Sequence, residues 1–497
     1  MSHAPGSAGP HAPGTTDPHG AGSTDPHAPR HHVRPPANWA NDPNGPFRWR
    51  GRYHLFYQHN PYAPTHTDMH WGHASSPDLA RWTHHPIALT PTPGGPDEAG
   101  CWSGCVVDDA GVPTAVYTGI DHRHTGLGTL CLARAADPED RHLERWRPEP
   151  GPVVAGPPDG LEVTMFRDPF VFSHAGRRWS LVGAGHADGT PSVLLYDCTD
   201  LTSWRFAGIL LDGRDPVAAD AFGDKAVGWE CPQLLRTRGG GWVLAVALWD
   251  GDPRATGYLA GTLEPDAAGG LAFAPRTGGR LDHGRDFYAP AVLQDDAAGR
   301  ALLWGWSWES RAREETERAG WAGVLTSPRV VDLGPDGTLR TAPAPELELL
   351  RAAAPFVTAP VRTPLPVAYD LSVIARTPTT ASLLRAASGA ELTLRLDPAT
   401  GTVTLDRSGW PRARGDGAAP LVLPAGPPGA PELEVRVLVD GSLLEVFAGD
   451  RAVATERVYR RPDDVAELAV TSGGAGPGGA GDGAAVTGWA LVPPTPG

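Results

Sequence analysis

Three carboxylates stand out, and one of them, Glu230, stands where a carboxylate needs a reason. Asp42 lies in Asn41-Asp42-Pro43-Asn44-Gly45, Asp168 follows Arg167 and precedes Pro169, and Glu230 sits between apolar neighbours in Trp229-Glu230-Cys231-Pro232. A charge among apolar residues is costly unless it is paired or put to use. Taken singly, Asp42 and Asp168 have plain structural readings. Asn-Asp-Pro-Asn-Gly is a turn signal, since each of these residue types favours turns for its own reason, and Arg167-Asp168 could be a surface ion pair. Brought together, the three would make a carboxylate site fit for acid–base work.

What could bring them together is a loose repeat. Four stretches, beginning at Asp42, Ser103, Asp168 and Glu230, share one plan: a polar residue, an apolar run, a Gly-containing turn and a second apolar or aromatic run. A fifth begins at Asp286 with a longer turn, and the start-to-start spacings are 61, 65, 62 and 56 residues. Each unit reads as a β-hairpin with further strands behind it, and a period near sixty suits one blade of a propeller with long loops. Five units predict a five-bladed β-propeller over residues 33–340, in an all-β chain. The alternative is a β-sandwich with accidental spacing. In a propeller, equivalent positions surround the axis at one end, so Asp42, Asp168 and Glu230 would point in register into one cavity.

The remaining segments support that frame. The chain has 62 glycines and 53 prolines in 497 residues, a density that suits short strands and turns rather than long helices. Residues 341–360 read as a Pro-rich linker. Over 361–494 the pattern becomes strict alternation, as in Leu392, Leu394, Leu396 and in Leu433, Val435, Val437, Val439, with Asp440-Gly441 as a turn. That predicts a β-sandwich whose acidic residues occupy solvated strand faces. Residues 1–32 repeat His-Ala-Pro and Thr-Asp-Pro-His and are expected to be disordered. A formal net charge of −15 argues against a nucleic-acid partner. The five cysteines have no zinc spacing and suggest no disulfide framework. Without a long apolar run or a secretory profile at the N-terminus, the expectation is a cytoplasmic protein with no membrane partner. Nothing in the sequence sets the oligomeric state.

The stretch NWANDPNG at 38–45 resembles the signature of glycoside hydrolase family 32, the family of invertases, sucrose-6-phosphate hydrolases and fructan hydrolases. Further resemblances follow in order: YHLFYQHNP at 53–61, HWGHASSPDLARW at 70–82, WSG at 102–104, FRDP at 166–169, WECP at 229–232, DFYA at 286–289, GWAGVLTSPR at 320–329 and DGSLLEVFAGD at 440–450. The resemblance implies a five-bladed propeller followed by a β-sandwich. It also implies that Asp42 is the nucleophile of a covalent fructosyl-enzyme and that Glu230 is the acid and later the base. Asp168 would hold fructose hydroxyls and stabilise the transition state, completing a retaining two-carboxylate mechanism. In that reading Glu230 must carry a proton before cleavage, which apolar neighbours such as Trp229 favour by excluding water. Trp39, Asn41, Gln58, Trp102, Ser103, Arg167 and Tyr288 match positions that contact sugar or orient the carboxylates. Trp306 is a further candidate for the pocket, Trp304 and Trp308 fall on the same period, and Asp286 could instead be an ion-pair partner.

Three departures from the family pattern stand out. Ala40 replaces a bulkier apolar residue. Gln233 stands where Asp is common, which bears on the leaving group. His66-Thr67-Asp68 takes the place of a Trp-Gly-Asn, so an imidazole replaces an aromatic wall. The resemblance implies a β-fructofuranosidase acting on terminal non-reducing fructosyl units of sucrose or short fructooligosaccharides. It implies no metal and no cofactor, and a small sugar as the only partner. The alternatives are an exo-fructan hydrolase, a sucrose-6-phosphate hydrolase and, from another class, a non-catalytic sugar-binding protein on the same scaffold.

Overall fold

The computed structural model describes residues 24–123, 126–223, 226–294, 296–359, 362–410, 419–473 and 483–492. Strand follows strand, and the α-helices among the described residues, Pro216–Phe222 and Arg313–Ala319, are two turns or less. Up to Pro343 the strands form five sheets in chain order, the inner strands of which are Asn38–Trp49, Gly100–Asp109, Val163–His174, Gly228–Arg236 and Tyr288–Leu293. Three further antiparallel strands build outward from each. The fifth sheet also takes Val324–Leu325, and the first takes Trp321–Ala322, which runs parallel to Asn38–Trp49. Each inner strand packs against the inner strand of the next sheet, and Tyr288–Leu293 packs back against Asn38–Trp49.

All five inner strands are broken by a bulge at the same place. The ladder skips between Ala40 and Pro43, Trp102 and Gly104, Arg167 and Phe170, Glu230 and Gln233, and Tyr288 and Ala291. Proline has no N–H to give a ladder, so Pro169, Pro232 and Pro290 settle where pairing is interrupted. The residue before each of these prolines has a positive φ: Asp168 +64°, Cys231 +45° and Ala289 +48°. Such left-handed backbone is uncommon outside glycine and re-aims the side chain. Asn-Asp-Pro-Asn-Gly is therefore strand rather than turn, because two bulges absorb its turn-forming residues. Gly45 is needed there: a Cβ would lie 2.6 Å from Val106 Cγ2 and 2.8 Å from the Val106 nitrogen.

The bulges also correct the phase of the repeat. Glu230 is the last paired residue before its bulge, as are Ala40, Trp102, Arg167 and Tyr288, whereas Asn41, Asp42, Ser103, Asp168, Cys231 and Ala289 lie within the bulges. Glu230 is thus out of register with Asp42 and Asp168, and the fifth repeat is phased on Tyr288-Ala289 rather than on Asp286.

After residue 362 the strands form a six-stranded and a five-stranded sheet. The two share one hydrophobic cluster containing Leu392, Leu394, Leu396, Leu433, Val435 and Val437, the alternating residues read from the sequence. Part of the segment expected as a linker, 341–360, is packed. Residues 341–343 end the last strand of the fifth sheet, and Leu347 and Leu350 of the 3-10 turn Pro345–Leu350 are buried. The acidic residues of this half divide: Glu391 and Glu434 lie on solvated strand faces as expected, whereas Asp440, Glu445 and Glu456 are at most 1% exposed.

Those acids meet cations from the first half. Arg329, completely buried, bonds Asp282 and Glu445 at 2.7 Å each, and Arg285 bonds Glu456 at 2.7 Å. Arg407 completes the pairing of Glu456 from the second half. His32 bridges Asp440 at 2.8 Å and Glu445 at 3.1 Å. Residues 24–32, expected to be disordered, form a strap between the halves, and residues 1–23 of that expectation lie outside the described residues. Backbone N–H groups of Arg30, His31 and His32 donate to the Asp440 carboxylate at 2.7–3.1 Å.

Candidate active site

The inner strands end around one open cavity of about 1220 Å³. Its wall includes the three carboxylates Asp42, Asp168 and Glu230 and the expected sugar contacts Trp39, Asn41, Gln58, Trp102, Ser103, Arg167, Tyr288 and Trp306. The bulges dispose them in two levels with different partners.

At the lower level, Asp42 Oδ2 accepts from Ser103 Oγ at 2.6 Å and its Oδ1 accepts from Asn41 Nδ2 at 3.0 Å. Asn41 is itself held by the Trp39 indole N–H at 2.7 Å, and Gln58 Nε2 donates to Ser103 Oγ at 3.3 Å. Asp168 Oδ2 accepts from the Cys231 backbone N–H at 3.0 Å, a bond that the left-handed Cys231 makes possible. The Asp168 N–H in turn donates to Thr118 Oγ1 at 2.8 Å. The Cys231 thiol lies 3.6 Å from both Asp42 Oδ2 and Asp168 Oδ2.

At the upper level, Glu230 Oε1 accepts from Arg167 Nη2 at 2.7 Å and Nε at 2.9 Å, and its Oε2 accepts from the Tyr288 hydroxyl at 2.6 Å. The Arg167 guanidinium lies over Trp249 and Trp102, 5.2 and 5.7 Å from their rings. Trp229 is not part of this environment. It is buried in a separate cluster, edge-on to Phe222 at 5.7 Å, because neighbouring residues on a strand face opposite sides. A guanidinium and a phenol, not an apolar wall, surround Glu230.

Burial pushes Asp42 up from the usual carboxylate range, and the Glu230 charge adds to this while the bonds from Ser103 and Asn41 oppose it. Burial, then the charges of Glu230 and Asp42, push Asp168 up to about 7. Asp168 therefore gives up its proton far less readily than a free carboxyl, although the Arg167 charge opposes the shift.

His66 completes the wall between Trp39 and Trp102, edge-on to each at 5.9 Å. Burial holds its imidazole below the ordinary histidine value, against the pull of Asp42, although its edge is open to the solvent of the cavity. Trp306, Trp308 and Trp304 share a strand face that passes from site to core. Trp306 and Trp308 line the cavity, whereas Trp304 is 1% exposed in a hydrophobic cluster. Asp286 is outside the cavity wall, accepting from the Trp308 indole at 2.6 Å and from the Arg457 N–H at 2.7 Å. Gln233 is outside it as well. Its amide oxygen accepts the Val292 N–H at 3.0 Å and joins two inner strands. Sequence reasoning missed Trp249 and Arg311 on the wall and placed Trp308 only on the period of Trp306. Trp249 closes the apolar run at 242–249, a signal that could have been read.

Residues 32–343 match the glycosyl hydrolases family 32 N-terminal domain, and residues 368–480 match the C-terminal part of the same family. Sucrose-6-phosphate hydrolase of Escherichia coli is 32% identical over 463 residues, spanning 88% of this chain and 90% of that protein. Raffinose invertase of Escherichia coli is 34% identical over 467 residues with the same coverage. Among solved structures, fructan 1-exohydrolase IIa from Cichorium intybus, in complex with 1-kestose, aligns with a TM-score of 0.76 at 25% identity, covering 94% of this chain and 98% of that one. The chain is a glycoside hydrolase and belongs to glycosyl hydrolase family 32.

Proposed function

We propose that the protein is a retaining β-fructofuranosidase that releases terminal non-reducing fructosyl units from sucrose or short fructooligosaccharides. The observation that carries this is the division of the cavity's carboxylates between two sets of partners. Asp42, oriented by Ser103 and Asn41, attacks the anomeric carbon of the fructosyl unit, while Glu230, steered by Arg167 and Tyr288, gives its proton to the departing oxygen. Asp168, beside both, binds ring hydroxyls and favours the cationic transition state. Water deprotonated by Glu230 then releases fructose from Asp42. The five bulged sheets read as blades of a propeller around this axis, followed by a β-sandwich. The contact of the fifth inner strand with the first supports that reading.

Five arginines lie on the cavity wall among the described residues, and each already faces a carboxylate: Arg167 with Glu230, Arg254 with Asp250, Arg285 with Glu456, Arg311 with Glu309 and Arg313 with Glu317. That weighs toward unphosphorylated sugars. A cavity of about 1220 Å³ exceeds what a disaccharide fills and favours exo-hydrolysis of longer fructans as the second reading. The five cysteines are free and buried, which supports a cytoplasmic enzyme working on an imported sugar.

The test is fructose release from sucrose, 1-kestose, inulin and levan by the purified protein. Rapid release from sucrose and kestose is expected, preference for polymer favours the second reading, and no release from any of the four overturns both.

A further inference from the structure

We propose that the N-terminal strap positions the cavity rim beside Glu230, with Asp25 as the positioning residue. The strap reaches the rim through one carboxylate. Asp25 Oδ2 accepts from Arg311 Nη1 at 2.8 Å and from the Trp321 indole at 2.9 Å, while its Oδ1 accepts the His27 N–H at 3.0 Å. Both partners matter to the site. Trp321 pairs with Asn38 at the start of the strand that carries Trp39, Asn41 and Asp42. Arg311 belongs to the rim segment 308–313, which lines the cavity.

Charge explains why an acid is needed there. Guanidinium groups of Arg311, Arg34 and Arg457 lie 4.5, 5.0 and 5.4 Å from the Trp321 ring. Glu309 answers Arg311 at 2.9 Å, and Asp25 is the second carboxylate on that guanidinium. Loss of Asp25 leaves a buried cation short of a partner, so the rim must shift or take in water. The rim adjoins the acid: Trp308 stacks on Tyr288 at 5.8 Å, and the Tyr288 hydroxyl bonds Glu230. On the function proposed above, that is the side on which the departing sugar leaves. The strap's other end is fixed independently by Asp440 and by His27 O, which accepts from the Ser442 N–H and hydroxyl at 2.9 Å each. A Cβ at Gly441 would lie 2.5 Å from that same oxygen, so the second half leaves the strap its path.

The test compares Asp25→Ala and the isosteric Asp25→Asn with the unsubstituted protein, well below the unfolding temperature. Two readouts are used: KM and kcat on sucrose and 1-kestose, and tryptic cleavage after Arg311 or Arg313. For Asp25→Ala we expect KM to rise about 5- to 10-fold with kcat within about twofold, and cleavage of the rim to quicken about tenfold. Asp25→Asn keeps an acceptor for Trp321 but not the charge, and falls between the two. A lower melting temperature with KM and rim cleavage both unchanged overturns the proposal, since the strap is then a staple and nothing more. Wild-type protein that turns over no fructoside contradicts the function and not the brace, on which the cleavage rates still decide.

Discussion

Two groups of buried acids, one between the halves of the molecule and one in the cavity, behave oppositely. In the contact between its halves, hydrogen bonds and charge from His32 hold Asp440 down at about 2 against burial, and Arg329 with His32 does the same for Glu445. The same carboxylates hold His32 up at about 9, although burial alone would lower it. In the cavity, burial and mutual repulsion prevail and push Asp42 and Asp168 up. Burial is similar in both regions, and the supply of cations decides the sign. Compensated acids clamp the two halves together, while uncompensated ones hold protons and charge that a reaction can use.

The largest effect that sharpens this contrast is on activity. Asp42→Asn is expected to lower kcat for sucrose by about 10⁴-fold or more, with the folded state intact by circular dichroism. Glu445→Gln should do the reverse. It leaves Arg329 and His32 short of an acid and is expected to cost about 3–5 kcal/mol of stability in urea unfolding, with kcat of the folded protein little changed.

The pH dependence separates the regions further. His32 is raised above its unfolded value of about 6.5, so its contribution is complete below that pH and is lost as pH rises through about 9. His32→Gln should therefore lose about 2–3 kcal/mol at pH 6 and abolish the alkaline decline in melting temperature. The stability that Asp440 and Glu445 contribute is present above pH ~4 and is lost as pH falls toward about 2. Asp168 has the opposite sign for an acid. The folded state takes up its proton more readily, so stability falls as pH rises from ~4 to about 7. Asp168→Asn is expected to stabilise the inactive protein by about 1–2 kcal/mol at pH 8 and by nothing at pH 4, read from melting curves. A gain at pH 4 equal to that at pH 8 would break the comparison.

The carboxylates were legible because each is marked by local sequence: a proline beside an acid, or an acid among apolar residues. The sixty-residue period was legible for the same reason, since hairpins leave turns at regular distances. Its phase was not. A bulge moves a side chain by one position without changing composition, so Glu230 read as the equivalent of Asp168 although it stands with Arg167 and Tyr288. The strap was hidden by its own composition. Thr-Asp-Pro-His in a low-complexity run carries no core, and the partners that tie Asp25 to the cavity rim, Arg311 and Trp321, are nearly 300 residues away. Likewise, alternation in the second half marks Glu445 as a residue on a strand but does not show that the face opposite the hydrophobic core meets Arg329.

The most direct measurement uses Glu230→Gln with an aryl β-fructofuranoside, whose leaving group departs without a proton. Attack by Asp42 should then outrun hydrolysis, which lacks its base. Intact mass spectrometry is expected to show the enzyme gain one fructosyl unit, mapped to the peptide that contains Asp42. An unmodified enzyme that still turns over the aryl fructoside, or an adduct on another residue, would contradict the account.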